Sequence, residues 1–391
     1  MKEQEKIIQA IQAESFAGWL FYNLHHRDPV ADRVCGISSE IPNTRPWVYL
    51  LRSSQDPVKI VHTIEAEILD HLPGRKVIYS GRESLAACLK EFAPGSGPWA
   101  ADFSLSFPGI SFIDHGTVLW LSDLGYKIVS SEKLIQQGLS TLTDEEIESH
   151  EEAGRILYQT VHTVWKRICS CFSGKKTPVY EGEVLGWILE HFEKNDMHTH
   201  PPLIVGAGIH STMPHYYPEG KGSRLAANDV LQIDIWGKKK AEGAIYADIS
   251  WVCFLGKKVP GEVAAAFAVI RDARDIAVDF IGSRFSAGES VTGADVDQRV
   301  EEFIRGAGYA QYLRHRTGHS IDTECHGYGV NIDSREYPDL RQLGPGACFS
   351  IEPGLYLSDF GVRTEIDVYI RGNKPVISGG KPQNEVLCFD T

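Results

Sequence analysis

No stretch of this chain approaches the roughly 20 consecutive apolar residues that span a bilayer. The first residues, Met1-Lys2-Glu3-Gln4-Glu5-Lys6, are charged, and the following run from Ile7 to Ala13 is too short and too polar at its flanks for a signal peptide. Basic charge is scarce: 39 Lys and Arg stand against 52 Asp and Glu, a net charge of -13, whereas a nucleic-acid binder concentrates positive charge on one face. The eight cysteines are scattered singly apart from Cys169 and Cys171, with no paired zinc spacing and no compact disulfide framework. There is also no Gly-rich loop ending in Lys-Ser or Lys-Thr, and no Gly-x-Ser-x-Gly nucleophile elbow. These absences predict a reduced, soluble, cytoplasmic protein with no membrane or nucleic-acid partner.

What is present suits two domains of ordinary size, since 42% of the 391 residues are hydrophobic. In the N-terminal third, strand candidates at Gly18 to Tyr22, Trp47 to Leu51, Val58 to His62 and Val77 to Tyr79 interleave with helical stretches such as Ser84 to Phe92, the pattern of an α/β layer domain. His25, His26, Arg27 and Asp32 read as a polar loop after a strand. Thr143, followed by acids, reads as the N-cap of a helix running towards Ile168, which sets the boundary between domains at 1–142 and 143–391. A second helix is expected over Gly182 to Phe192, and two more from Pro260-Gly261 and over Val296 to Ile304, all with core-facing apolar stripes.

The second half carries the chemistry. Leu231 to Ile235 and Ile245 to Ile249 are apolar strand candidates joined by a polar turn, an antiparallel hairpin able to hold Asp234 and Asp248 on one face. Further on come His319 in Arg316-Thr317-Gly318-His319, Glu352 in Ser350-Ile351-Glu352-Pro353-Gly354, and Glu365 in Gly361-Val362-Arg363-Thr364-Glu365. Gly318 allows a close backbone approach beside His319. A strand from Val362 to Ile370 would place Arg363, Glu365 and Asp367 on one polar face. Four acids brought together in a partly buried site repel one another and take up protons unless cations balance them. Two divalent cations do so, and oxygen-rich ligation favours manganese, with cobalt, iron or zinc as substitutes and a thiolate site excluded. The pair His198 and His200 lacks neighbouring carboxylates and reads as structural.

The order Asp234, Asp248, His319, Glu352, Glu365, each in its own local context, resembles the pita-bread metallopeptidases, in particular the Xaa-Pro aminopeptidase and prolidase branch. The resemblance is strong over about 145–391 and looser before it. It implies an N-terminal creatinase-like α/β domain, then a pita-bread catalytic domain with pseudo-twofold helices and a curved antiparallel sheet. It also implies two metal ions, with Asp234 on one, His319 and Glu352 on the other, and Asp248 and Glu365 bridging. A metal-bridging hydroxide then attacks the peptide bond before proline, with Glu352 shuttling the proton, His215 of Pro214-His215-Tyr216 and His326 binding the substrate, and Arg363 steadying an acid. The homodimer is likewise an implication of the resemblance.

Three departures stand out: His210 where the branch more often carries asparagine, Trp251 where arginine is usual and an altered ligand environment is therefore expected, and Gly327 after His326 where an acid is common. Arg335 and Arg341 lie in the region that meets a substrate carboxylate in a dipeptidase, or else are solvated loop charges. Alternatives to the aminopeptidase are an Xaa-Pro dipeptidase, an enzyme for another amide, and a non-catalytic binding module.

Overall fold

The computed structural model describes residues 2–92, 97–173, 178–200 and 202–389. The chain divides into two compact units, Met1–Leu139 and Ser140–Thr391.

The first unit runs α1 (Lys2–Ala13), β1 (Gly18–Asn23), α2 (Pro29–Cys35), β2 (Trp47–Arg52), β3 (Val58–His62), β4 (Arg75–Tyr79), α3 (Arg82–Phe92), β5 (Pro98–Ala101), α4 (His115–Asp123), β6 (Lys127–Ser130) and α5 (Glu132–Gly138). Its sheet has the order β4-β3-β2-β1-β5-β6. Only β2 runs against the others, pairing antiparallel with both β1 and β3. Leu20, Val48, Leu50, Ile60 and Trp99 from the sheet pack with Leu85 and Leu89 of α3 into one core. His26, tied to Asp32 at 2.8 Å and to the Ile41 carbonyl at 2.8 Å, is structural as expected.

Asp28, the N-cap of α2, and Asp102, just after β5, are buried beside each other. Trp19 Nε1 and Ser131 Oγ both donate to Asp102 Oδ1, at 2.8 and 2.6 Å. Burial raises the Asp102 carboxyl to about 6 from an ordinary 3.8, and pushes Asp28 up as well, with Asp102 as its next cause. Because the folded-state value is the higher one, the stability this group contributes is complete below pH 3.8 and lost as pH rises through about 6. Asp102→Asn keeps the accepting oxygen and removes the charge. It is expected to flatten that dependence and to raise the urea midpoint of this unit at pH 8 by roughly 2 kcal/mol equivalent. A lower midpoint than wild type at pH 8 would refute the buried-charge account.

The second unit begins with α6 (Asp144–Ser173) and α7 (Glu181–Lys194). Thr143 and Glu146 cap α6 reciprocally: Glu146 N donates to Thr143 Oγ1 at 3.3 Å, and Thr143 N to the Glu146 carboxylate at 2.7 Å. There follow β7 (Met197–His198), β8 (Ile204–Ala207), β9 (Val230–Lys239) and β10 (Ala247–Phe254), with β9 bonded to the other three. Helices α8 (Gly261–Ser286) and α9 (Gly293–Gly306) precede β11 (Cys348–Ile351), β12 (Gly354–Tyr356), β13 (Gly361–Arg363), β14 (Ile366–Arg371) and β15 (Lys374–Ile377). Two cores result. One joins α6 and α7 to the β8-β9-β10 side, the other joins α8 and α9 to β11 through β14.

Candidate metal centre

Strand alternation does the first part of the assembly. In the β9–β10 ladder Asp234 lies directly opposite Ser250, and Asp248 opposite Trp236, so Asp234, Asp248 and Ser250 share one face. The other face carries Ile233, Ile235, Ile249 and Trp251, which pack against α6 and α7. This corrects the expectation for Trp251. Its ring turns away from the acids and meets Tyr158 at 5.9 Å and His162 at 4.9 Å, and Ser250 is the residue that touches the acidic cluster.

The expected continuous strand from Val362 to Ile370 is two strands. β13 pairs with β12 and β14 with β11, because at the junction the Glu365 amide turns to donate to the Ser250 carbonyl at 3.1 Å. Arg363, Glu365 and Asp367 nonetheless all face β10 and are buried rather than solvated. Ser250 Oγ donates to Glu365 Oε2 at 2.9 Å and accepts from Arg363 Nε at 3.0 Å, while the Asp248 amide donates to Asp367 Oδ2 at 2.8 Å. His319 arrives from a segment paired against β11, its amide donating to Ser350 Oγ at 3.0 Å. A Cβ on Gly318 would lie 2.0 Å from the Ser350 carbonyl oxygen, so only glycine permits this approach.

At the centre, His319 Nε2 stands 3.5 Å from Glu352 Oε1, 3.7 Å from Asp248 Oδ2 and 3.9 Å from Glu365 Oε1. Asp248, His319 and Glu365 each offer a donor atom within 4.8 Å of the others. Asp234 joins through Arg363, whose Nη2 donates to Asp234 Oδ2. Asp234 Oδ1, Asp248 Oδ1, Glu365 Oε1 and Asp367 Oδ1 are buried without a hydrogen-bond partner. Such orphaned carboxylate oxygens are costly unless a cation meets them.

The electrostatics agree. Burial, then the charge of Asp234, holds Asp248 far above the carboxylate range, and burial, then Asp248, does the same for Glu365. Burial also raises Glu352. His319 is driven by burial down to about 3, so its imidazole is neutral and keeps a lone pair for a metal. His326, whose ring centre is 4.3 Å from that of His319, is lowered to about 3 first by His319 and then by burial. A donor set of clustered carboxylates and one neutral imidazole fits hard divalent cations.

His215 lies outside this cluster, on a wall of a cavity of about 860 Å³ lined also by Met213, Tyr216, Tyr217 and Lys221. Its loop is tied to the cluster by Arg363 Nη1, which donates to the Pro214 carbonyl at 3.1 Å and to Tyr356 Oη at 2.8 Å. His198 and His200 are not among the clustered donor atoms; His200 Nδ1 is bonded to Tyr246 Oη at 3.0 Å, although its charge still acts on His326. Arg341 is a half-buried staple between Asp339 and the carbonyls of Tyr328 and Gly329, and Arg335 pairs with Glu301 at 2.6 Å, so neither is a free loop charge. The Asp322 carboxylate fills the space beside Gly327, 2.7 Å from where a Cβ would stand.

Sequence reasoning missed several participants. Ser250 was legible as the residue two along from Asp248 on an alternating strand. Cys325, whose thiol donates to Asp248 Oδ2 at 3.1 Å, and Tyr356, which also accepts or donates at His315 Nε2 at 2.7 Å, carry no local signal. Nor does Glu181. Fully buried at the start of α7, its carboxylate accepts from Ala207 N at 2.9 Å, His210 Nδ1 at 2.8 Å, Tyr216 Oη at 2.7 Å and Ser223 N at 2.6 Å. The His210 departure is thereby accounted for: its ring pairs with Glu181 and stacks on Tyr216 at 4.0 Å. Glu181→Ala leaves those donors unmet and is expected to cost about 2 kcal/mol. Glu181→Gln is expected to cost about half of that, read as the shift in urea midpoint between the two variants. Equal midpoints for alanine and glutamine would show that the carboxylate does not hold the loop.

Residues 148–372 match the profile of metallopeptidase family M24. The chain belongs to that family. Among curated relatives, the Xaa-Pro dipeptidase of Lactobacillus helveticus is 29% identical over 202 residues, 50% of this chain and 49% of that protein. The chain spans about half the length of the curated relatives it matches. Over the whole chain the M24 fold is shared with solved structures. Dipeptidase PepE from Mycobacterium ulcerans has a TM-score of 0.75 at 21% identity, covering 99% of this chain and 97% of that one. The X-Pro aminopeptidase from Thermotoga maritima has a TM-score of 0.68 at 19% identity, covering 98% and 99%. The architecture is therefore the expected α/β pita-bread one.

Proposed function

We propose that this M24 protein is a dinuclear-metal hydrolase of the Xaa-Pro aminopeptidase type, with residues 1–142 as a creatinase-like domain and 143–391 as the catalytic domain. The observation that carries the reading is the neutral His319 set within 3.9 Å of three carboxylates that include orphaned oxygens. Asp234, Asp248, His319, Glu352 and Glu365 are the residues that would hold two divalent ions, manganese foremost. When bound, such ions polarise a scissile carbonyl and acidify water at neutral pH.

The chain's own groups then have distinct tasks. Arg363 fixes Asp234 Oδ2 and leaves the buried Oδ1 without a hydrogen-bond partner. Glu352, whose proton affinity burial raises, carries a proton from water to the leaving nitrogen, which in an Xaa-Pro bond has no hydrogen of its own. His326, neutral, and His215, on the cavity wall, donate hydrogen bonds to the substrate carbonyl as it gains negative charge. We read the protein further as a cytoplasmic homodimer that takes peptides and neither nucleic acid nor membrane. The net charge of -13 supports the exclusion of nucleic acid.

An Xaa-Pro dipeptidase is the second reading, favoured by the name of the Lactobacillus helveticus relative. The deciding experiment is hydrolysis of Xaa-Pro dipeptides and Xaa-Pro-Yaa peptides by chelated protein with and without manganese, with Glu352→Ala as control. Cleavage of the longer peptides that needs both metal and Glu352 supports the aminopeptidase, and cleavage confined to dipeptides supports the prolidase. No cleavage of either by metal-loaded protein overturns the proline assignment and points to another amide or to a binding module.

A further inference from the structure

The N-terminal unit contains a crevice of about 570 Å³ that the acidic cluster does not use. The size is within the roughly 300–1,000 Å³ of small-molecule sites. It opens where β1, β3 and β4 end, at Tyr22, His62 and Tyr79, and where α3 and α4 begin. These three strands run the same way, and the strand order reverses beside β1, whose other neighbour is β5. Open α/β sheets take ligands at such a place, outside the carboxyl ends of the strands.

Its lining carries both signs of charge. Arg45 and Arg82 are the cations, Asp114 the anion. Arg82 has no carboxylate partner among the described residues, and its guanidinium lies over the Trp120 ring at 5.0 Å. Asp114 caps α4, accepting from Thr117 N at 2.9 Å and Oγ1 at 2.7 Å, bonds that hold its carboxyl below the ordinary range and so ionised. No ion pair joins Arg82 to Asp114, although both act on the Tyr22 phenol. Between them the walls are aromatic, with Tyr22 and Trp120 edge to face at 6.4 Å, and Tyr79 beside them.

A simple anion entering this crevice meets the Asp114 charge, and a simple cation meets two arginines. A ligand with a carboxylate and an ammonium a few bonds apart satisfies both ends, and an apolar side chain satisfies the rings. We propose that the crevice is a binding site, additional to the acidic cluster, for a free α-amino acid or dipeptide in its zwitterionic form. The carboxylate pairs with Arg82 and Arg45, the ammonium with Asp114, and the side chain lies among Tyr22, Tyr79 and Trp120. Nothing in this assignment depends on the peptidase reading, because holding a zwitterion in this crevice requires no bond to be cleaved.

The test is calorimetric titration of the full-length, metal-loaded protein with L-phenylalanine, in parallel with N-acetyl-L-phenylalaninamide and with benzoate. The expected result is binding of L-phenylalanine that weakens at least ten-fold in Arg82→Ala and in Asp114→Ser, with neither control ligand competing. Serine keeps a cap for α4 while removing the charge, and an unchanged melting temperature certifies that both variants are folded. The proposal is overturned if L-phenylalanine gives no binding, if both variants bind as wild type does, or if the blocked amide or benzoate binds equally well.

Discussion

Chelation of divalent cations is expected to lower the melting temperature of the 140–391 unit by about 10 °C at pH 8, and by far less at pH 5. In the cation-free protein Asp248 and Glu365 are held far above the carboxylate range by burial and by their acidic neighbours. Their folded-state values exceed the unfolded ones, so the stability linked to their protons is present at low pH and lost as pH rises through the raised values. Cations compete for the same oxygens. Their contribution therefore grows with pH, reaching about 4 kcal/mol when the free ion stands at a thousand times its dissociation constant. Differential scanning calorimetry with chelator, and with manganese added back, reads both effects. A chelated protein as stable as the loaded one at pH 8 would remove the basis for a metal centre here.

The second large effect is expected at Arg363. The guanidinium is buried and makes four hydrogen bonds at once, to Asp234, Ser250 Oγ at 3.0 Å, the Pro214 carbonyl at 3.1 Å and Tyr356 Oη at 2.8 Å, with Glu352 Oε2 at 3.9 Å beyond them. Arg363→Ala leaves Asp234 as a buried carboxylate with no counter-charge and frees the loop that carries His215. Breaking a buried pair from one side costs about 3–5 kcal/mol. Cation affinity or turnover should fall on the order of 10- to 100-fold, as it does when the partner that orients a metal-binding carboxylate is removed. Arg363→Lys is not expected to restore it, because one ammonium cannot reproduce a planar fork reaching four acceptors. A urea midpoint and cation affinity equal to wild type in Arg363→Ala would show that the acid is held by something else.

Much of the local structure was legible because it depends on neighbours in sequence. The alternation around Asp234 and Asp248 foretold a shared face, and the register places Asp234 opposite Ser250. The Thr143 cap foretold the start of the long helix, which begins at Asp144. Gly318 foretold a close approach, and the Ser350 carbonyl supplies it. Trp251 was misjudged because a substitution beside a motif says nothing about which face its side chain takes until the strand's partner is known. The break at Thr364-Glu365 was invisible for the same reason, since it is made by a hydrogen bond to Ser250 more than a hundred positions away.

The sequence by itself determined the family, the order of the acids and histidines, and the short-range devices that shape their strands and caps. These follow from side-chain period, capping chemistry and glycine's lack of a Cβ, all of which act within a few residues. Only the tertiary structure decided that Arg363 bridges Asp234 to the His215 loop, that Glu181 gathers three donors from that loop and one from the end of β8, and that Cys325 reaches Asp248. It alone brought Arg82, Asp114 and three aromatic rings to one crevice. Such contacts join residues far apart in the chain, and their energies depend on burial and on the absence of water, which no local pattern of residues encodes.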